Sequence, residues 1–211
     1  MSDTLTAAEI EALFTRSDGR FLFARWGRPM APVVFGAEDA TIAAFRSAFE
    51  AVARLAGQPL AETDPDLGAN LMVFLCRNWD ELRGVPGLDR MIEGFGPLID
   101  RLEAARANQY RVFRFDAAGA IRAAFVFLRI DAHLATLPAE VLALHQAVQV
   151  VLLWSDRAFA DRSPLAEAGG RVILRPEIGA LIRAAHDPLL PAVATDASHA
   201  LRLAARLSPV R

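Results

Sequence analysis

The stretch that most constrains this chain is LPAEVLALHQAVQVVLLWSD, residues 137–156. Pro138 stands where a first helical turn tolerates proline, and Glu140 lies near the positive end of the helix dipole. From Val141 to Trp154 every residue is apolar except His145, Gln146 and Gln149. A helix that is apolar on all sides is a buried one, so a central buried helix is expected over residues 138–154. A strongly apolar strand, residues 123–130, comes just before it.

Within that helix the polar residues read H-Q-x-x-Q. A zinc peptidase needs two ligands on one helical face and a carboxylate between them, as in H-E-x-x-H. His145 and Gln149 are four apart and share a face. Gln149 is a poor zinc ligand, however, and Gln146 is neutral at every pH and takes no proton from a metal-bound water. The expectation is therefore that His145 and Gln149 are polar residues of a buried helix, bonded to each other or to backbone. No catalytic residue, metal or cofactor is assigned.

The rest of the composition narrows the class. A chain of 211 residues that is 54% hydrophobic is expected to form one domain with a substantial core. All 23 basic residues are arginine, which excludes Schiff-base chemistry and a P-loop lysine. That arginine bias suggests a bacterial source with a GC-rich genome. The net charge is −2 and no basic run occurs, so no nucleic-acid partner is expected. The single Cys76 ends an apolar run, LMVFLC, and reads as a buried core thiol. The opening MSDTLTAAEIEALF lacks a basic n-region and a continuous apolar h-region, and no apolar run is long enough to span a bilayer. A cytoplasmic location with no membrane span is the expectation.

Taken in order, residues 6–15 form a short amphipathic helix with Thr6 and Glu9 as a capping box. FLFARW, residues 21–26, is a first strand and residues 32–35 a second. Residues 39–56 are a helix stopped by Gly57. Residues 70–76 are an interior strand, and residues 88–105 a helical region broken near Gly94, Gly96 and Pro97. Residues 109–116 and 121–131 form a hairpin around Asp116-Ala117-Ala118-Gly119. After the central helix, residues 155–170 read as an irregular polar loop, followed by a short apolar stretch, residues 172–174. Two helices follow, residues 176–185 and 195–207, with Leu201 on the apolar face of the last and His199 on its solvent face. The fold class is α+β: a mixed sheet with the buried helix packed across it and a helical C-terminal part. The domain divides into an N-terminal helix (1–17), the sheet and central helix (18–157), and a C-terminal helical region (158–211).

Several segments carry a resemblance: RFLFARWGRPMAPVVFG, RLAGQPL, GANLMVFL, the helix with HQAVQ, and LIRAAHDPLLPAVATDASHALRLAARL. Together, over roughly residues 20–207, they resemble the bacterial domain-of-unknown-function family 2927, a zincin-like group. The resemblance aligns His145, Gln146, Gln149 and Ser155-Asp156 with the family's E-E-x-x-Q region. It aligns Ile182-Arg183 and His186-Asp187-Pro188 with its closing motif. The chain departs from the family where its acidic pair is replaced by His145-Gln146, and in lacking an export signal. The resemblance implies a zincin-like fold more than any activity.

The charged segment after the central helix is the expected binding surface, through Asp156, Arg157, Asp161 and Arg162, together with Arg183 and His186. The preferred reading is a non-catalytic zincin-like domain that binds a protein or peptide, an extended segment adding to an exposed sheet edge. The enzyme alternative is a metal-dependent hydrolase using His145 with a carboxylate such as Glu177 or Asp156. A third reading is a structural subunit of a larger bacterial assembly. A metal site from His133, His145 and His186 is geometrically conceivable from the sequence. Trp26, Trp79 and Trp154 read as packing residues.

Overall fold

The computed structural model describes residues 4–207, so the ends of both terminal regions lie outside the described residues. It is 40% helix and 23% strand, which makes the class mixed α+β. The helices are α1 (Ala7–Phe14), α2 (Asp39–Ala56), α3 (Leu88–Met91), α4 (Phe95–Ala104), α5 (Ala139–Val151), α6 (Pro176–Ala185) and α7 (Ser198–Leu207). The strands are β1 (Phe23–Ala24), β2 (Pro32–Phe35), β3 (Leu71–Cys76), β4 (Gln109–Phe115), β5 (Ile121–Arg129), β6 (Leu165–Ala168), β7 (Arg171–Leu174) and β8 (Val193–Ala194). Short 3₁₀ turns cover Trp79–Gly84 and Leu134–Thr136.

The main sheet has the order β2-β3-β5-β4, with β2, β3 and β5 parallel and β4 antiparallel at the edge. Parallel neighbours need long crossovers, and these cover both faces of the sheet. The two inner strands are accordingly apolar, apart from Arg122 and Arg129 near the ends of β5. Leu71, Val73, Ala124, Val126 and Leu128 face one core with α2 and α5. Met72, Phe74, Cys76, Phe125 and Phe127 face a second core with Trp79, Leu88 and Ile99. This is the period-two pleat dividing one strand between two helical layers.

Helix α2 has the expected bounds. Phe45, Phe49, Val52 and Ala53 form its buried stripe, and Gly57 closes it at φ 67° with its N–H on the carbonyl of Ala53. Just past β2, Gly36 lies against the backbone of β3: a Cβ there would stand 2.0 Å from the carbonyl oxygen of Leu75. Only glycine allows that approach.

The central helix departs from expectation in two ways. It packs chiefly along α2, in the layer over the first face of the sheet, rather than directly across the strands. It also ends at Val151, three residues early. Trp26 Nε1 donates to the carbonyl of Val150 at 2.8 Å, and Trp154 Nε1 to that of Val148 at 2.7 Å. Two indoles thus take carbonyls that the last turn leaves open. Leu152 and Leu153 then run extended against β1, where Leu153 N–H donates to the carbonyl of Ala24.

Other expectations are corrected. The first strand is only two residues long and pairs with β8, outside the main sheet. The hairpin turn spans five residues, 116–120, with a bulge at Arg114/Phe115. The segment after α5 is not simply a loop followed by helices: β6 and β7 form a hairpin around Gly169-Gly170, both at positive φ as a tight two-residue turn requires. On α7 the faces are exchanged. His199 is 2% exposed against Phe23, whereas Leu201 is 63% exposed. Among the described residues no helix is long and apolar enough to cross a membrane.

Candidate functional site

A pocket of about 330 Å³ opens beside the central helix. It is lined by Val141, Leu142 and His145 of α5, by His133, Leu134 and Leu137 before it, by Gln109 of β4, and by Leu165, Glu167 and Val172 of the β6–β7 hairpin. Its wall is mostly apolar, with a few polar groups, which is the usual make-up of a ligand site.

Behind that wall lies a polar network. Gln146 is fully buried. Its Oε1 accepts from Arg111 Nη2 at 2.7 Å, and its Nε2 donates to Gln109 Oε1 at 3.1 Å. The same Arg111 Nη2 donates to Gln109 Oε1 at 2.9 Å. Gln146 Nε2 also lies 3.3 Å from His145 Nδ1. Because Arg111 fixes the amide oxygen, the amide nitrogen faces the imidazole and donates to Nδ1. The ring proton therefore sits on Nε2. Burial, reinforced by the neighbouring Arg111 charge, pushes the His145 pKa down to about 4, so the ring is neutral at pH 7.

Arg111 has no carboxylate partner among the described residues. Among the described residues its Nε is buried without a hydrogen bond, and Nη1 has no partner either. Burial lowers its pKa to about 10, so the guanidinium stays charged at neutral pH.

The edge of β4 is open. Arg129 N–H donates to the carbonyl of Asn108 at 2.8 Å. The alternation of an antiparallel ladder then points the backbone groups of Tyr110 and Val112 at β5, and those of Gln109, Arg111 and Phe113 away from the sheet. The side chains of these last three lie on the face toward α5, as the Arg111–Gln146 bond and the packing of Phe113 require. Gln109 thus belongs to both the open edge and the pocket.

The expected site residues are partly brought together. His145 and Gln146 form the network; Gln149 takes no part in it, and His145 is bonded to Gln146 instead of Gln149. His133 and His145 line one pocket, but His186 lies on α6 with Nδ1 2.8 Å from the carbonyl of Ile182. Arg157, Asp161 and Arg162 line a second pocket of about 250 Å³ beside α1. Glu177 lines it too, bonded to Arg162 at 2.9 Å. Asp156 instead accepts the backbone N–H of Ser17 at 3.0 Å, and Arg183 and His186 line neither pocket. Phe159 in the second pocket has φ 63°, a strained value for a bulky residue, held by edge-to-face packing on Trp154.

Neither acid named as a metal ligand is joined to His145. Among the described residues no three His, Cys, Asp or Glu side chains converge to hold a metal ion. Gln146 and Gln149 stand where a peptidase zinc centre has its carboxylate base and second histidine.

Sequence reasoning missed Gln109 and Arg111. The alternation in QYRVFRF carried the signal, since it sets an arginine on the face of β4 that must look toward the central helix. It also missed Asp64, which lies in a polar loop with no apolar pattern around it. Asp64 is 5% exposed and accepts from Arg28, from Asn70 Nδ2 and from the N–H groups of Asp66 and Leu67. Burial pushes its pKa up, but these donors outweigh that and hold it below the ordinary carboxylate value.

Comparison with protein-family models, with curated proteins and with solved structures gives no match.

Proposed function

We propose that this chain is a non-catalytic, zincin-like binding domain that takes an extended segment of a protein partner along the open edge of β4 and into the adjoining pocket. The observation that carries the reading is the free row of backbone groups at Gln109, Arg111 and Phe113 beside a pocket wall made by the motif helix. An exposed edge strand offers main-chain hydrogen bonds to any extended peptide, and the pocket supplies room for its side chains. The zincin-like part of the reading is supported by the succession of an antiparallel edge strand, an inner strand and then the helix with H-Q-x-x-Q. The non-catalytic part is supported by the network: the residue in the general-base position is a buried amide, engaged by an arginine.

Hydrogen–deuterium exchange with a β-prone peptide pool tests the binding mode. Protection confined to the outward amides of β4 is expected. Uniform exchange with and without peptide at millimolar concentration would refute it. Elemental analysis of the purified protein tests the rest. Stoichiometric zinc that disappears in His145→Ala would establish the second reading, a metal-dependent hydrolase, which has in its favour that His133 and His145 share one pocket.

A further inference from the structure

The open edge carries a charge that nothing among the described residues neutralises. β4 reads QYRVFRF, with two arginines and no acid. Arg114, on the opposite face, donates to the carbonyl of Met91. Arg111 has only amide oxygens as acceptors, with Nε and Nη1 unused. A partly buried guanidinium held by neutral groups alone is incompletely compensated, and a carboxylate is the acceptor that matches its fork.

The geometry of strand addition says where that carboxylate would come from. Two residues directly opposite each other in a ladder put their side chains on the same face. The residue of an added strand opposite Arg111 therefore turns its side chain toward α5, beside the guanidinium. Its neighbours two positions away turn theirs toward Gln109, at the pocket, and toward Phe113.

We infer that the segment bound at this edge is acidic, with a Glu or Asp side chain set opposite Arg111 and paired with its free guanidinium nitrogens. The inference rests on the edge-strand reading above and adds the chemical class of the partner to it. The flanking positions follow: a small apolar side chain opposite Gln109, where the pocket wall is mostly apolar, and another opposite Phe113. A neutral segment has the same backbone bonds but leaves Arg111 as it is.

The test uses the full chain and two blocked pentapeptides, acetyl-Val-Thr-Glu-Thr-Val-amide and the same peptide with Gln at the centre, titrated by calorimetry. The Glu peptide is expected to bind about tenfold more tightly, the margin of one charge-assisted pair. In Arg111→Gln that margin vanishes, whereas Arg111→Lys retains part of it; thermal melting checks that both variants are folded. Equal affinities for the two peptides in the unaltered protein would overturn the acidic preference and leave edge binding intact. A margin that persists in Arg111→Gln would also overturn it. No binding of either peptide would overturn the edge-strand reading, and the acidic preference with it.

Discussion

Arg111 on β4 donates to Gln146 on α5 at 2.7 Å, joining a charged side chain to a fully buried amide between sheet and helix. Gln146 is engaged at both ends, since its nitrogen reaches Gln109 and His145. An amide suits this place because it accepts from the arginine and donates to the imidazole at once; a carboxylate would only accept.

Replacing Gln146 by leucine removes both functions and leaves a buried guanidinium short of an acceptor. We expect a loss of roughly 2–3 kcal/mol in urea unfolding. The double variant Gln146→Leu/Arg111→Met should lose less than the two single variants summed, because the second change removes the group that the first one orphans. Strict additivity would mean that the bond carries no coupling.

Stability should fall as the medium is acidified below the ordinary histidine pKa. His145 is held down to about 4 in the folded chain against 6.5 in the unfolded one. Above 6.5 both states are neutral there and the group has no effect. Below it the unfolded state binds the proton first, and the loss grows until the folded ring also protonates near pH 4. Burial displaces His186 and His199 downward as well, so they add to the same slope. The His145 share is on the order of 3 kcal/mol by pH 4. Urea midpoints between pH 7 and pH 4 read it, and His145→Gln should flatten the profile.

His199 is buried against Phe23 with neither ring nitrogen bonded. A neutral imidazole must carry one N–H, so a donor is stranded in the core. His199→Leu should therefore stabilise the fold by about 1 kcal/mol, unusual for a core substitution. A lowered melting temperature would count against the unpaired ring as a source of instability.

Asp64 ties Arg28, Asn70 and two loop amides together below the start of β3. Asp64→Ala strands all of them, and a loss of roughly 3–4 kcal/mol is expected in chemical denaturation. Asp64→Asn retains the acceptor oxygen and should fall between the two.

How much of this was legible depends on which forces decided each element. α2 and α6 are spelled out locally, by an apolar stripe ending at Gly57 and by Pro176 at a helix start, and both have the expected bounds. The end of α5 was not legible, because it is set by indoles from Trp26 and Trp154 instead of a capping residue. The β6–β7 hairpin was legible only as the apolar stretch 172–174, because strands of four residues are too short for alternation to mark β6 or the pairing. α7 misled because Leu201 is the more apolar side chain, yet the faces were set by where Phe23 and the rest of the core lie. At the site, the motif spacing pointed to His145 with Gln149, one helical turn apart. The partner that matters is Gln146, chosen by β4, and a cross-element contact of that kind has no signature along one segment.

The pairing of β1 with β8 joins residues 23–24 to residues 193–194. A ribosome releases the first of these long before the second, so β1 itself waits for its ladder partner while the four-stranded sheet is already complete in the emerged chain, although Ile121 of β5 already bonds to Arg25 and Gly27 just beyond it. Leu153 meets Ala24 earlier and tethers the arm to the end of α5. The β1–β8 seam then closes late, and α6 and α7, which flank β8, bring Leu181, Ile182 and Leu203 into the same core as it closes.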